Sequence, residues 1–129
     1  MHLKILIVDD DPATLLVASM ALQYAGGYEV LVANSGADAI ECAKENRPDA
    51  ILMDIVMHDQ DGLSVLHTLR REAETGSIPI IFHTARTNPT EVRSLLSSGA
   101  KGVIGKPTDP LELGNEIRRI LAPGKDSTN

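Results

Sequence analysis

Five short apolar runs, Leu3–Val8, Tyr28–Ala33, Ala50–Met53, Ile78–Phe82 and Gly102–Ile104, alternate with longer segments of helical pattern. Leu15, Leu16, Ala18, Met20 and Leu22 show the helical spacing in the first interval. Apolar runs of this length, rich in β-branched residues, read as buried strands. Strands alternating with helices are joined by crossovers, so the pattern predicts βαβ units sharing a parallel sheet. The expected fold class is α/β: a doubly wound five-stranded parallel sheet with helices on both faces.

Local chemistry marks the helix ends. Asp11-Pro12, Asn88-Pro89 and Asp109-Pro110 each place an N-cap residue before a proline at the first helical position. Glu91 and Glu112 stand three residues after Asn88 and Asp109, where they can close capping boxes. Gly26-Gly27, Gly76 and Gly99 supply stops. The last helix is expected from about Asp109 to Ala122. Residues 1–122 then form one domain, and residues 123–129 a flexible polar tail or the start of a linker.

At 129 residues the chain suits one domain with a real core, and 43% hydrophobic residues exclude disorder as its main state. Tyr24, Tyr28 and Phe82 are its only aromatic residues, so the core must be aliphatic and base-stacking platforms are disfavoured. A net charge of −6 argues against direct nucleic-acid binding. Cys42 is the single cysteine, which excludes an internal disulfide or a cysteine-rich zinc site; a half-buried thiol on a helix is expected. Lys4 and the aspartates after Val8 interrupt the N-terminal apolar run, so no signal peptide is read there. No run approaches the length of a membrane span. A soluble cytoplasmic chain is expected.

In an open parallel sheet, ligands bind beyond the C-terminal ends of the strands. Asp9, Asp10 and Asp11 follow the first strand, Asp54 the third, Thr84-Ala85 the fourth and Lys106-Pro107 the fifth. Two carboxylates about 4 Å apart repel by roughly 4 kcal/mol at an effective dielectric near 20. Gathering several at one rim calls for a hard divalent cation. Acids, a hydroxyl and an ammonium are the groups that phosphoryl transfer uses.

The ordered set Val8-Asp9-Asp10, Asp54 after Ile51-Leu52-Met53, Asp61-Gly62, Thr84-Ala85 and Lys106-Pro107 resembles the receiver domain of two-component response regulators. Each motif alone is weak, but together they span almost the whole chain in the family's order and spacing. The resemblance implies a flavodoxin-like sheet of order 2-1-3-4-5 with five helices. It implies Asp54 as phosphoacceptor, its carboxylate attacking a phosphoryl donor to give an acyl phosphate. Mg2+, with Mn2+ as a substitute, would bind Asp10 and Asp54 directly, Asp9 through water, and the Val56 carbonyl. Thr84 would donate its hydroxyl to the phosphoryl group, Lys106 would pair with it, and the Lys106-Pro107 bond would be cis.

The implied donor is a sensor histidine kinase or histidine phosphotransfer protein, whose helix would dock near the rim and first helix. The protein would be no enzyme in the usual sense, but an acceptor assisting its own phosphorylation and dephosphorylation. An unknown downstream protein would read the switch, and the face of the fourth helix, fifth strand and fifth helix could serve as a dimer interface. The chain would be a stand-alone receiver or a domain of a larger regulator. Two other readings are weighed against it. Haloacid-dehalogenase-type phosphatases also carry Asp-x-Asp after their first strand, but Ala13 stands where their motif continues with Thr or Val, and no room remains for a cap domain. Retention of all the site side chains counts against a phosphorylation-independent interaction module, and Val103 and Thr108 count for it.

Several positions depart from the family's habit. His58 follows Met57 where a proline is common, Val103 stands where an aromatic switch residue is common, and Thr108 replaces a frequent aromatic. Without a ring at Val103, coupling from Thr84 to the output face must run through backbone and packing. His83 occupies a strand position usually apolar, and is expected to be partly buried with a satisfied hydrogen bond. Asp11 is read as an N-cap rather than a metal ligand, and Asp59 and Asp61 as turn formers. His2 and His67 have no metal-like spacing with the other histidines. Val56 and Arg86, each two residues beyond a site residue, are expected to flank the site's mouth and tune phosphoryl lifetime.

Overall fold

The computed structural model describes residues 2–122, so the expected tail, residues 123–129, lies outside the described residues. β1 (Lys4–Val8), α1 (Pro12–Met20), β2 (Glu29–Ala33), α2 (Gly36–Asn46), β3 (Ala50–Met53) and α3 (Gly62–Arg71) come first. β4 (Ile80–Thr84), α4 (Pro89–Ser97), β5 (Gly102–Gly105) and α5 (Pro110–Leu121) complete the order. All strand pairs are parallel, and the sheet runs β2-β1-β3-β4-β5, as the resemblance implied.

Side chains alternate across the sheet because the strand period is two. Leu6, Val8, Ile51, Met53, Ile80 and Phe82 face α2, α3 and α4, where they pack with Ala39, Ala43, Val65, Leu66, Leu69 and Leu95. Ile5, Ile7, Leu52, Ile81 and Ile104 face α1 and α5, against Ala18, Leu22, Leu113 and Ile117. Each fully buried side chain of this size contributes roughly 1.5–3 kcal/mol over leaving it in water. Cys42 is half-buried beside the first of these layers, and its Sγ accepts from Asn46 Nδ2 at 3.4 Å.

The prolines and caps act as their chemistry dictates. Asp11 accepts from the Thr14 N–H, Asn88 from the Glu91 N–H and Asp109 from the Leu111 N–H, each ahead of a proline in the first turn. The capping boxes do not close as expected. Glu91 accepts from the side-chain amide of Asn88, and the Glu112 N–H is taken by the Asp109 carbonyl.

Gly27 and Gly99 adopt positive φ after the first and fourth helical segments, as stops should. Gly76 does not stop α3, which ends at Arg71. A compact turn follows, in which the buried Thr75 hydroxyl donates to the Leu69 carbonyl at 2.7 Å. Arg70 ties this turn down by donating to the Ile78 and Gly99 carbonyls.

Strand boundaries shift where the backbone demands it. β4 starts at Ile80 rather than Ile78, because Pro79 has no N–H for the ladder and contributes only its carbonyl, to Ile51. At its other end β4 continues through His83 and Thr84, which align with Ile104 and Gly105 of β5. Tyr28 precedes β2, its N–H bound to the Leu22 carbonyl and its hydroxyl to the Gly114 carbonyl. α1 runs on into a π-helical segment, Ala21–Ala25, closed by the Gly26 N–H on the Ala21 carbonyl; periodicity alone does not show this.

Candidate functional site

Register places the rim residues. Val8 aligns with Met53, and Met53 with Phe82, so Asp9 and Asp54 leave adjacent strands at one level. The Asp54 N–H donates to the Val8 carbonyl, and the Lys106 N–H to the Thr84 carbonyl at 2.8 Å. One ligand oxygen from each of Asp9, Asp10 and Asp54 lies within 4.8 Å of the others. The carboxylates expected to converge do so, and Asp11 stands apart, capping α1 through Thr14. Its hydrogen bonds from Thr14 hold the Asp11 carboxyl below its ordinary value against some desolvation.

Asp9 is almost fully buried and both of its oxygens are engaged. Oδ1 accepts from the Asp11 N–H at 2.9 Å, and Oδ2 accepts from Lys106 Nζ at 2.8 Å. Lys106 Nζ also lies 3.5 Å from Asp54 Oδ2. Burial works against the ammonium charge, but the hydrogen bond from Lys106 to Asp9 and the charges of Asp54 and Asp9 outweigh it and raise the Lys106 pKa. Asp54 shifts up as well: desolvation dominates, the Lys106 charge opposes it, and the Asp9 charge adds to it. Asp54 Oδ1 receives the Val56 N–H at a long 3.4 Å, which leaves this acid the least constrained of the three.

Thr84 is buried beside this group, and its Oγ1 accepts the Arg86 N–H at 3.0 Å. That contact fixes the hydroxyl oxygen and leaves its proton to donate elsewhere. Lys106-Pro107 is cis, as the resemblance implied. Val56 and Arg86, whose backbone N–H groups reach Asp54 and Thr84, have exposed side chains, and Arg86 pairs with Glu91 at 3.7 Å.

Two contacts escape a reading of the sequence. His58 holds Asp10: its N–H donates to Asp10 Oδ2 at 2.9 Å, and its Nδ1 lies 3.4 Å from the same oxygen. Asp59 does more than form a turn. Its carboxylate accepts from the Gly36 and Ala37 N–H groups at 2.9 and 3.0 Å, so the loop after β3 caps α2. Those two bonds keep the Asp59 carboxyl below its ordinary value. Asp61 is the N-cap of α3, accepting from the Ser64 N–H. No local motif marks either cross-chain contact, because the partners of His58 and Asp59 stand 48, 23 and 22 residues away.

His83 is buried and hydrogen-bonded to Thr108, as expected of a strand histidine with a partner. Desolvation, and then the Lys106 charge, lower its pKa to about 4 against a small opposing effect of Asp9. It is uncharged at neutral pH.

Known proteins resemble this chain in sequence and fold. PilH of Pseudomonas aeruginosa is 35% identical over 119 residues, which cover 92% of this chain and 98% of PilH. The DNA-binding response regulator MtrA of Mycolicibacterium smegmatis is 34% identical over 98% of this chain, which spans only 54% of MtrA. The Vibrio cholerae chemotaxis response regulator CheY4 superposes with a TM-score of 0.87 at 31% identity, covering 94% of this chain and all of CheY4. The receiver domain of the P. aeruginosa sensor histidine kinase PA1611, solved with a magnesium ion in its active-site cleft, gives a TM-score of 0.81 at 30% identity, over 92% of this chain and 97% of that one. Residues 5–118 match the response regulator receiver domain family. With the fold, the acidic pocket and these relatives in agreement, the chain belongs to the response regulator receiver domain family of two-component systems.

Proposed function

We propose that Asp54 accepts a phosphoryl group from a histidine kinase or histidine phosphotransfer protein, and that the acyl phosphate switches binding of a downstream protein. The observation that carries this role is the position of Asp54, half-buried, with Lys106 Nζ at 3.5 Å and two more carboxylates within 4.8 Å. An Asp54 oxygen forms the new O–P bond as the P–N bond to the donor imidazole breaks. Lys106 neutralises a phosphoryl oxygen, and the Thr84 hydroxyl donates to another. Asp54 is an acceptor restored by hydrolysis, so the protein acts as a switch rather than as a turnover enzyme.

The all-oxygen donor set fits Mg2+, which takes few protein ligands and keeps several waters, and it fits Mn2+ as a substitute. Asp10, Asp54 and the Val56 carbonyl would hold the ion directly. Asp9, with its oxygens committed to Asp11 and Lys106, would act through a bound water. Once bound, the cation neutralises charge on the phosphoryl oxygens during transfer.

Leu16, Val17 and Met20 are exposed along α1, whose first turn leaves the rim at Asp11, and offer an apolar strip to the donor's helix. The α4–β5–α5 face is assigned to the downstream protein or a second copy. Val103 lies half-buried there against the core, so the signal from Thr84 reaches this face through packing and the Lys106–Thr84 backbone bond. A cytoplasmic location goes with the proposed kinase. Among the described residues, no helix is long and apolar enough to cross a membrane.

The test is intact mass after incubation with Mg2+ and a small acyl phosphate, for the parent and for Asp54→Ala. Gain of one phosphoryl group that needs both Asp54 and the cation supports the role. No gain in the parent overturns it in favour of a phosphorylation-independent interaction module.

A further inference from the structure

A cavity of about 440 Å³ opens on the α1/α5 face of the sheet and borders the acidic pocket through Lys106, which lines both. Its walls include Ala13, Val17, Ala18, Pro110 and Leu113, and its polar lining includes His83 and Thr108. His83 reaches this face because Ile81, two residues earlier on β4, packs there too. His83 as a whole is 8% exposed.

The hydrogen bonds settle which ring nitrogen carries the proton. Thr108 Oγ1 donates its single proton to the Gly105 carbonyl, which can only accept. Toward His83 Nε2, 3.3 Å away, the hydroxyl must therefore accept, so Nε2 bears the hydrogen. Nδ1 is left as a bare acceptor with no protein partner among the described residues. No sealed side-chain nitrogen or oxygen among those residues lacks a partner, so Nδ1 is not sealed off, and the cavity is the space that His83 lines.

We propose that this cavity binds a small neutral aromatic molecule carrying one hydrogen-bond donor, of the phenol or indole class, with the donor on His83 Nδ1. The volume exceeds the roughly 150 Å³ that admits benzene and falls within the usual range for ligand pockets. Apolar walls favour an apolar body, and the single open acceptor calls for a single donor. A cationic ligand is disfavoured because the positively charged Lys106 is among the lining residues. An anion finds that ammonium already committed to Asp9 and Asp54. The short side chain of Thr108 leaves room that a larger one would take up.

Amide NMR titration of the full chain with indole, and with indene as a donor-free bicycle, tests the proposal. Indole should give saturable shifts at residues around the cavity and bind about fivefold more tightly than indene, the worth of one ordinary hydrogen bond. His83→Leu should keep the cavity and bring that ratio to one. Thr108→Phe should fill the cavity and abolish both titrations. The absence of saturable shifts with indole, equal binding of indole and indene by the parent, or titrations that persist in a folded Thr108→Phe would each overturn it. The comparison of indole with indene decides the matter in the parent even if a variant fails to fold.

Discussion

Lys106 Nζ lies 2.8 Å from Asp9 Oδ2, joining residues 97 positions apart in the chain. The Asp9 side chain is 3% exposed and that of Lys106 24%, so this pair is a largely desolvated link between the first and last strands. Removing one member leaves the other charge buried without its partner, which costs about 3 kcal/mol or more. Lys106→Met should destabilise the fold by about 3 kcal/mol in urea titrations with chelator present. The double variant Asp9→Asn/Lys106→Met should recover much of the loss. An equal loss in single and double variants would show that the stem of Lys106, rather than its charge, supplies the stability.

Asp54 behaves in the opposite way. Its folded pKa is raised above the ordinary 3.8, chiefly by desolvation. The native state therefore holds this proton more tightly than the unfolded chain, and ionisation lowers stability as pH rises through the folded pKa. The penalty is complete above the folded value and absent below 3.8. Asp54→Asn should be more stable than the parent at pH 7 in chelator, with the difference fading toward pH 3. A variant no more stable at pH 7 would contradict the desolvation argument.

The features legible in the sequence are those that local chemistry or sheet geometry imposes. Asp11-Pro12 and Asn88-Pro89 reveal helix starts because the cap and the ring both act within a single turn. Asp9, Asp54, Thr84 and Lys106 could be placed at one rim because parallel strands deliver all their C-terminal ends to the same edge. His58 on Asp10, Asp59 on α2 and the buried Thr75 follow no period and no short motif. They depend on how two loops lie after the sheet has formed. His83 and Thr108 stood out separately as departures from the family, and only the folded chain joins them in a hydrogen bond.

His83 predicts an acid limb. With a folded pKa of about 4 against an ordinary 6.5, the unfolded chain binds more protons between those values. Stability is complete above 6.5 and falls as pH drops toward 4, by about 2 kcal/mol at pH 4.5. Urea midpoints at pH 7 and 4.5 measure the loss. His83→Leu should reduce it by about that amount, and an unchanged acid limb would reject the assignment.

Gly62 opens α3 directly behind the site. A Cβ there would stand 2.7 Å from the Asp54 carbonyl oxygen, 2.8 Å from a Phe82 ring carbon and 3.1 Å from the Ile55 Cα. Two of these neighbours are backbone and the third is a fully buried ring, so none yields easily. Gly62→Ala should destabilise the fold by about 2 kcal/mol through overpacking. It should also displace the Asp54–Val56 loop, read as shifted Asp54 and Val56 amide resonances. A stable variant with unshifted loop signals would show that the backbone gives way elsewhere.

Val56 and Arg86 have exposed side chains, and their backbone N–H groups reach Asp54 and Thr84. Hydrolysis of an acyl phosphate on Asp54 needs a water in line with the O–P bond, and exposed side chains two residues beyond Asp54 and Thr84 are proposed to govern its entry. Val56 offers an apolar screen. Arg86 is held toward Glu91, and its charge can meet a phosphoryl oxygen only if that pair opens. Val56→Ser should therefore shorten the phosphoryl lifetime several-fold, and Arg86→Ser should change it less. Loss of the phosphoryl mass is timed after the donor is removed, with Mg2+ held constant. Unchanged decay in both variants would assign control of water access to other residues at the rim.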